Sequence, residues 1–145
     1  TGLATSRDLQ HWTRYEGNPV LQVNRQSWDK WFVSDPYIVQ DGDLWLNFYF
    51  GYGKLYEDGH THAQEGLALS EDLVNWEKVE EPIIPYGAAG SIDSGHAHKA
   101  SILYYQGVLY HFYCGTCPWR EGLPANVSGE YRGICLATSR PLPYK

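Results

Sequence analysis

The chain has 145 residues, 43% of them hydrophobic and 19% charged, with a formal charge of −6. This is the composition of a folded domain with its own core, not of a disordered chain. An acidic balance without clustered Lys and Arg excludes nucleic acid as a partner, and no apolar run approaches the roughly 20 residues of a membrane span. Aromatic residues make up 15%, as 12 Tyr, 6 Trp and 4 Phe. Such rings suit both a sheet core and the walls of a cleft for polar, ring-shaped ligands.

Taken in order, GLATSRDLQHW at residues 2–12 recurs as GLALSEDLVNW at 66–76, with Gly, Leu, Ala, Ser, Asp, Leu and Trp in identical places. A looser third copy, GICLATSRPL, occupies residues 133–142. The matching serines Ser6, Ser70 and Ser139 set periods of 64 and 69 residues. In the repeated turn, Ser and Asp are expected to bond nearby backbone and Trp to pack between sheets, which makes Asp8, Asp72, Trp12 and Trp76 scaffold residues. The NPVL and EPII segments that follow each contain a Pro, which forbids a central ladder position and points to an edge strand or exit loop.

Next comes residues 31–52, WFVSDPYIVQDGDLWLNFYFGY. Asp35-Pro36 opens a strand-like run, Asp41-Gly42-Asp43 supplies a turn, and residues 44–50 read as a second strand. The same unit returns from Gly107 to Tyr113. No window keeps a 3.6-residue period, so helices should be few. Four short strands per period is the arithmetic of a propeller blade. The expected fold is all-β: a partial β-propeller of about two four-stranded antiparallel blades plus flanking strands, with repeat units at approximately 2–65, 66–132 and 133–145. The chain lacks Met and begins inside an apparent strand, so further N-terminal blades are expected.

Asp35 is the foremost candidate for chemistry, a carboxylate at the mouth of a hairpin. Three cysteines, Cys114, Cys117 and Cys135, leave one unpaired, so reduced thiols are the default. Cys114 and Cys117 have redox or zinc spacing but no second such pair. The pairs His60/His62 and His96/His98 open a divalent-metal alternative, since alternate strand residues point the same way. Glu65, just before a repeated strand, reads as solvated or capping. Asn126-Val127-Ser128 fits a glycosylation sequon.

The blade motif GLATSRDLQHW with NPVL, and SDPYI followed by GDLWLNFYFG, resemble the five-bladed β-propeller glycoside hydrolases, among them families 43, 32, 62, 68, 117 and 130. Five blades of this repeat need roughly 320 residues. The resemblance implies a carbohydrate substrate, no cofactor or metal, and the remaining propeller blades of the parent chain as partners. It implies that Asp35 is the carboxylate that orients the partner acid or steadies the charged transition state. The general acid of the next blade is a Glu in most of these families; counting back from Gly107 puts His98 there, and family 117 resembles this pattern in using a His. Asp93, His96, Lys99 and Trp31 would then contact substrate. A carboxylate beside His98 is expected to raise its pKa. A glycoside phosphorylase and a noncatalytic carbohydrate-binding propeller remain as alternatives.

Overall fold

The computed structural model describes residues 1–124 and 129–140; the sequon at residues 126–128 and the end of the third repeat unit lie outside them. Among the described residues there are nine strands and no helix. β1 (Ala4–Thr5) and β2 (Thr13–Arg14) form a two-stranded ribbon. β3 (Phe32–Asp41), β4 (Leu44–Tyr52), β5 (Gln64–Ser70) and β6 (Glu77–Lys78) form a four-stranded antiparallel meander in chain order. β7 (His96–Tyr105), β8 (Val108–Pro118) and β9 (Glu130–Thr138) repeat its first three strands. This is a partial β-propeller: one blade of four strands, a second of three, and the outer ribbon of a preceding one.

The sequence repeat is a repeat of hydrogen bonds. Ala4 pairs with Arg14, and 64 residues on Ala68 pairs with Lys78. In the first turn Ser6 Oγ accepts from the N–H groups of Asp8 and Leu9, and Asp8 Oδ1 accepts from those of Gln10 and His11. Ser70 and Asp72 repeat all four bonds, at 2.7 to 3.1 Å. Leu9 and Leu73 share a left-handed φ, 62° and 66°, and their carbonyls accept the indole N–H of Trp12 and Trp76. Short polar side chains thus replace the backbone partners that a tight turn cannot supply.

The core of the four-stranded blade gathers Leu21, Trp28, Tyr49 and Ala68, with Val33 and Trp76 packed against it. Trp28 stacks on Tyr49 with centroids 6.0 Å apart, and Gly66 permits this approach: a Cβ there would lie 2.6 Å from the Tyr49 ring. Tyr49 donates its hydroxyl to Asp29, which is 1% exposed and is also paired with Lys78. The next blade copies the device, Tyr113 donating to Asp93 Oδ2 at 2.8 Å.

Register corrects the expected equivalence of Asp35 and His98. Each inner strand carries a bulge, between Ser34 and Tyr37 in β3 and between His98 and Ser101 in β7. Tyr37 pairs with Phe48 and Ser101 with Phe112, so the offset is 64 and Lys99, not His98, stands where Asp35 does. The hairpin glycines are out of step with the strands. Gly42 is the first turn residue after β3, whereas after β7 that place belongs to Gln106 and Gly107 comes second. Both conformations need positive φ, which Gly meets without strain.

Candidate active site

Asp35 and Lys99 occupy the two inner-strand bulges with φ of 49° and 66°, and both are exposed. A positive φ is uncommon for residues other than glycine and marks a backbone held there by its surroundings. Ser34 Oγ donates to Asp35 Oδ1 at 3.0 Å. The bulge is what turns each charged side chain out of the ladder.

Beside these bulges a cavity of about 430 Å³ opens between the two blades. Phe32, Phe50 and Tyr52 form its aromatic wall, with Phe32 packed on the other two at 5.6 and 5.2 Å. His96, His98, Lys99 and Arg132 face them. His98 is 8% exposed, its ring edge-on to Phe50 at 5.4 Å, and its Nδ1 has no hydrogen-bond partner among the described residues. Its pKa falls to about 4, first through burial and then through the charges of His96, Lys99 and Arg132. The expected rise is therefore reversed: among the described residues no carboxylate acts on the ring, and at neutral pH His98 is a neutral imidazole. His96 accepts the Ala63 N–H on Nδ1 at 2.9 Å, which leaves its proton on Nε2. Burial lowers its pKa too.

Of the residues singled out in the sequence, the fold brings His96, His98 and Lys99 into this one cavity. Asp35 lies at the neighbouring bulge, outside the lining, with no hydrogen bond or ion pair to His98 among the described residues. Asp93 is committed elsewhere, to Tyr113 and to Ser91 Oγ at 2.7 Å. Trp31 is 57% exposed, covered by Lys30 at 5.2 Å, and does not line the cavity.

The sequence reading missed Glu65. Far from solvated, it is 0% exposed on β5, opposite Phe50, and projects into the seam between blades. Neither carboxylate oxygen has a partner of hydrogen-bond geometry among the described residues, although the backbone N–H of Ala100 is near. Burial, and then the charge of Asp35, raise its pKa to about 8. His111 Nε2 stands 4.0 Å away with its own pKa lowered to about 4 by burial. Burial thus pushes both groups toward their neutral forms, which makes the contact weaker than an ion pair of two full charges. The alternation of β5 does not single it out: Glu65 shares the parity of Leu67 and Leu69, which are only half-buried, while Gln64, Gly66, Ala68 and Ser70 on the alternate positions are buried.

Of the histidines in the metal alternative, His62 has both ring nitrogens occupied and His96 has one. His62 donates through Nδ1 to the Gly95 carbonyl at 2.6 Å, holds Asp58 through Nε2 at 2.8 Å and stacks on Tyr86 at 3.9 Å. No cluster of three or more His, Cys, Asp or Glu suited to a metal ion occurs among the described residues. The three cysteines are free thiols.

No protein-family model matches the chain, and no curated protein matches it. Solved structures do. The structure of a BT0996 RGII complex is 34% identical over 97% of this chain and 36% of its own, with a TM-score of 0.71. A glycoside hydrolase structure matches at 33% identity over the same shares, also at 0.71. In fold alone, the Bombyx mori GH32 β-fructofuranosidase BmSUC1 is similar at 24% identity and a TM-score of 0.60, over 93% of this chain and 26% of its own. A glycosyl hydrolase from Bacteroides ovatus is similar at 15% and 0.64, over 86% and 37%. The chain spans just over a third of the length of the structures first named. With its repeated antiparallel sheets and two bulged inner strands, the chain is a partial β-propeller of the kind found in glycoside hydrolases.

Proposed function

We infer that these blades belong to a glycoside hydrolase, and that Asp35 is one of its catalytic carboxylates. The observation that carries the reading is the pairing of a one-third identity to a glycoside hydrolase along nearly the whole chain with an exposed Asp on a bulged inner strand. Glycosidic cleavage passes through an oxocarbenium-like state, which a carboxylate at the cavity mouth stabilises while a second group protonates the leaving oxygen. Asp35 takes the first role. His98, neutral near pH 7, serves as a hydrogen-bonding group for a sugar hydroxyl rather than as the proton donor. The remaining acid or base comes from another blade.

The test is the release of reducing sugar from a panel of glycosides by the full-length protein. Asp35→Asn should reduce turnover by about a hundredfold or more, as expected for a positioned acid-base group, and leave thermal unfolding unchanged because the side chain is exposed. A noncatalytic glycan-binding propeller is the second reading, favoured by Lys99, which stands at the second bulge where an acid is expected. Sugar binding without turnover would decide for it. Turnover that requires inorganic phosphate would decide for a phosphorylase.

A further inference from the structure

The inter-blade cavity has a charge balance that glycosidic cleavage by itself does not call for. In a chain of net charge −6, no carboxylate lines it among the described residues. Lys99 is carried to it by the bulge and makes no ion pair among the described residues. Arg132 joins from β9 of the same blade as an ion pair with Glu130, whose Oε1 accepts from Arg132 Nε at 2.6 Å and also contacts Nη2, so its charge is partly compensated while that of Lys99 is not. That contact satisfies one edge of a five-donor group and leaves other N–H groups for a ligand. Below them His98 Nδ1 is buried without a partner among the described residues, a state that costs free energy. Facing this cationic side, the Phe32, Phe50 and Tyr52 rings offer the apolar surface that a sugar ring packs on.

We propose that this cavity is an oxyanion subsite, in which Lys99 and Arg132 supply charge and His98 a hydrogen bond to a carboxylate or phosphate oxygen. The two sources of that chemistry are the carboxylate of an acidic sugar and inorganic phosphate. The subsite rests on the glycan-processing reading above and names a substrate class for it. Burial first, and then the charges beside it, keep His98 neutral, and a neutral imidazole can still donate one hydrogen bond to an oxyanion. The volume of about 430 Å³ is that of a small-ligand site and accommodates one sugar unit.

Binding to the full-length protein is measured by calorimetry with three probes: galacturonate, its neutral counterpart galactose, and inorganic phosphate. The subsite predicts that at least one of the two anions binds about tenfold or more tightly than galactose. It also predicts that Lys99→Met abolishes most of this preference and Lys99→Arg restores it, since a guanidinium also pairs with oxyanions. Galacturonate binding without phosphate binding assigns the site to a substrate carboxylate; the reverse assigns it to phosphate. Equal affinity for galacturonate and galactose with no phosphate binding, or an anion preference indifferent to Lys99, overturns the proposal. Lys99 is exposed, so loss of folding is not expected, and a melting curve checks it. The glycosidase reading fails separately: anion binding that depends on Lys99, with no glycoside cleaved, sinks the hydrolase and keeps the subsite. Glycoside cleavage sensitive to Asp35→Asn without any anion preference does the opposite.

Discussion

At the scale of single residues, the same chemical group does different work according to what lies one turn or one strand away. Asp29 and Asp93 are carboxylates spent on architecture, each receiving a tyrosine hydroxyl from the strand two places on. Tyr49→Phe and Tyr113→Phe should each destabilise the fold by about 1–2 kcal/mol in urea unfolding, with Tyr49→Phe the more costly because Asp29 is nearly inaccessible to replacement water. Sequence alone offers Asp93 as a sugar contact because nothing in the local run Ser91-Ile92-Asp93-Ser94 reveals a partner 20 residues later. The signal was present at long range: Asp29 and Tyr49 have the same separation in the preceding period. Asp35, in contrast, has only its own neighbour Ser34 as a hydrogen-bond partner among the described residues, which leaves its charge for a ligand.

At the scale of strands and seams, Glu65 and His111 decide how the blades respond to pH. Glu65 has a folded pKa of about 8 against a reference of 4.5, so the folded seam holds a proton that the unfolded chain releases. Its contribution to stability is full below pH 4.5 and is lost as pH rises through 8. His111, lowered to about 4 from 6.5, works in the opposite sense: its contribution is full above pH 6.5 and is lost as pH falls through 4. Melting temperatures measured from about pH 5 to about pH 9 should therefore decline on the alkaline side, and Glu65→Gln should flatten that decline. A decline of unchanged slope in the variant would mean that another group titrates there. This seam was not legible because blade packing joins β5 to a strand roughly 40 residues later, and a lone Glu beside a polar loop has no local mark of burial. The turns were legible for the converse reason, since Ser, Asp and Trp act there within seven residues of one another.

At the scale of the molecule, the repeat carried the architecture. Equal spacing of an identical turn told of stacked, similar sheets, and the antiparallel pairing of β3 with β4 and of β7 with β8 followed from their two-residue hairpins. What spacing could not settle was phase: one residue of slip in the hairpin glycine moved the expected site from Lys99 to His98. The 145 residues also leave an apolar sheet face uncovered, with Ile134 at 75%, Leu103 at 52% and Leu136 at 44% exposure. Contiguous exposed apolar surface of this kind associates. Produced alone, the 145 residues should elute above monomer mass in size-exclusion chromatography with light scattering, and Ile134→Lys with Leu136→Lys should shift them toward monomer. A monodisperse wild-type monomer would count against the other blades as the natural cover of that face.

The paired bulges have a consequence for how a ligand arrives. One backbone geometry presents an anion on β3 and a cation on β7, and these strands pack side by side. Opposite charges fixed at one mouth create a local field with a direction, and a polar molecule within a Debye length, about 8–10 Å at ordinary salt, experiences a torque before it touches the protein. A molecule carrying a negative charge at one end would be turned by that field with this end toward Lys99 and away from Asp35. The encounter selects an orientation, and added salt, by shortening the reach of that field, slows the approach while the contacts made after docking stay the same.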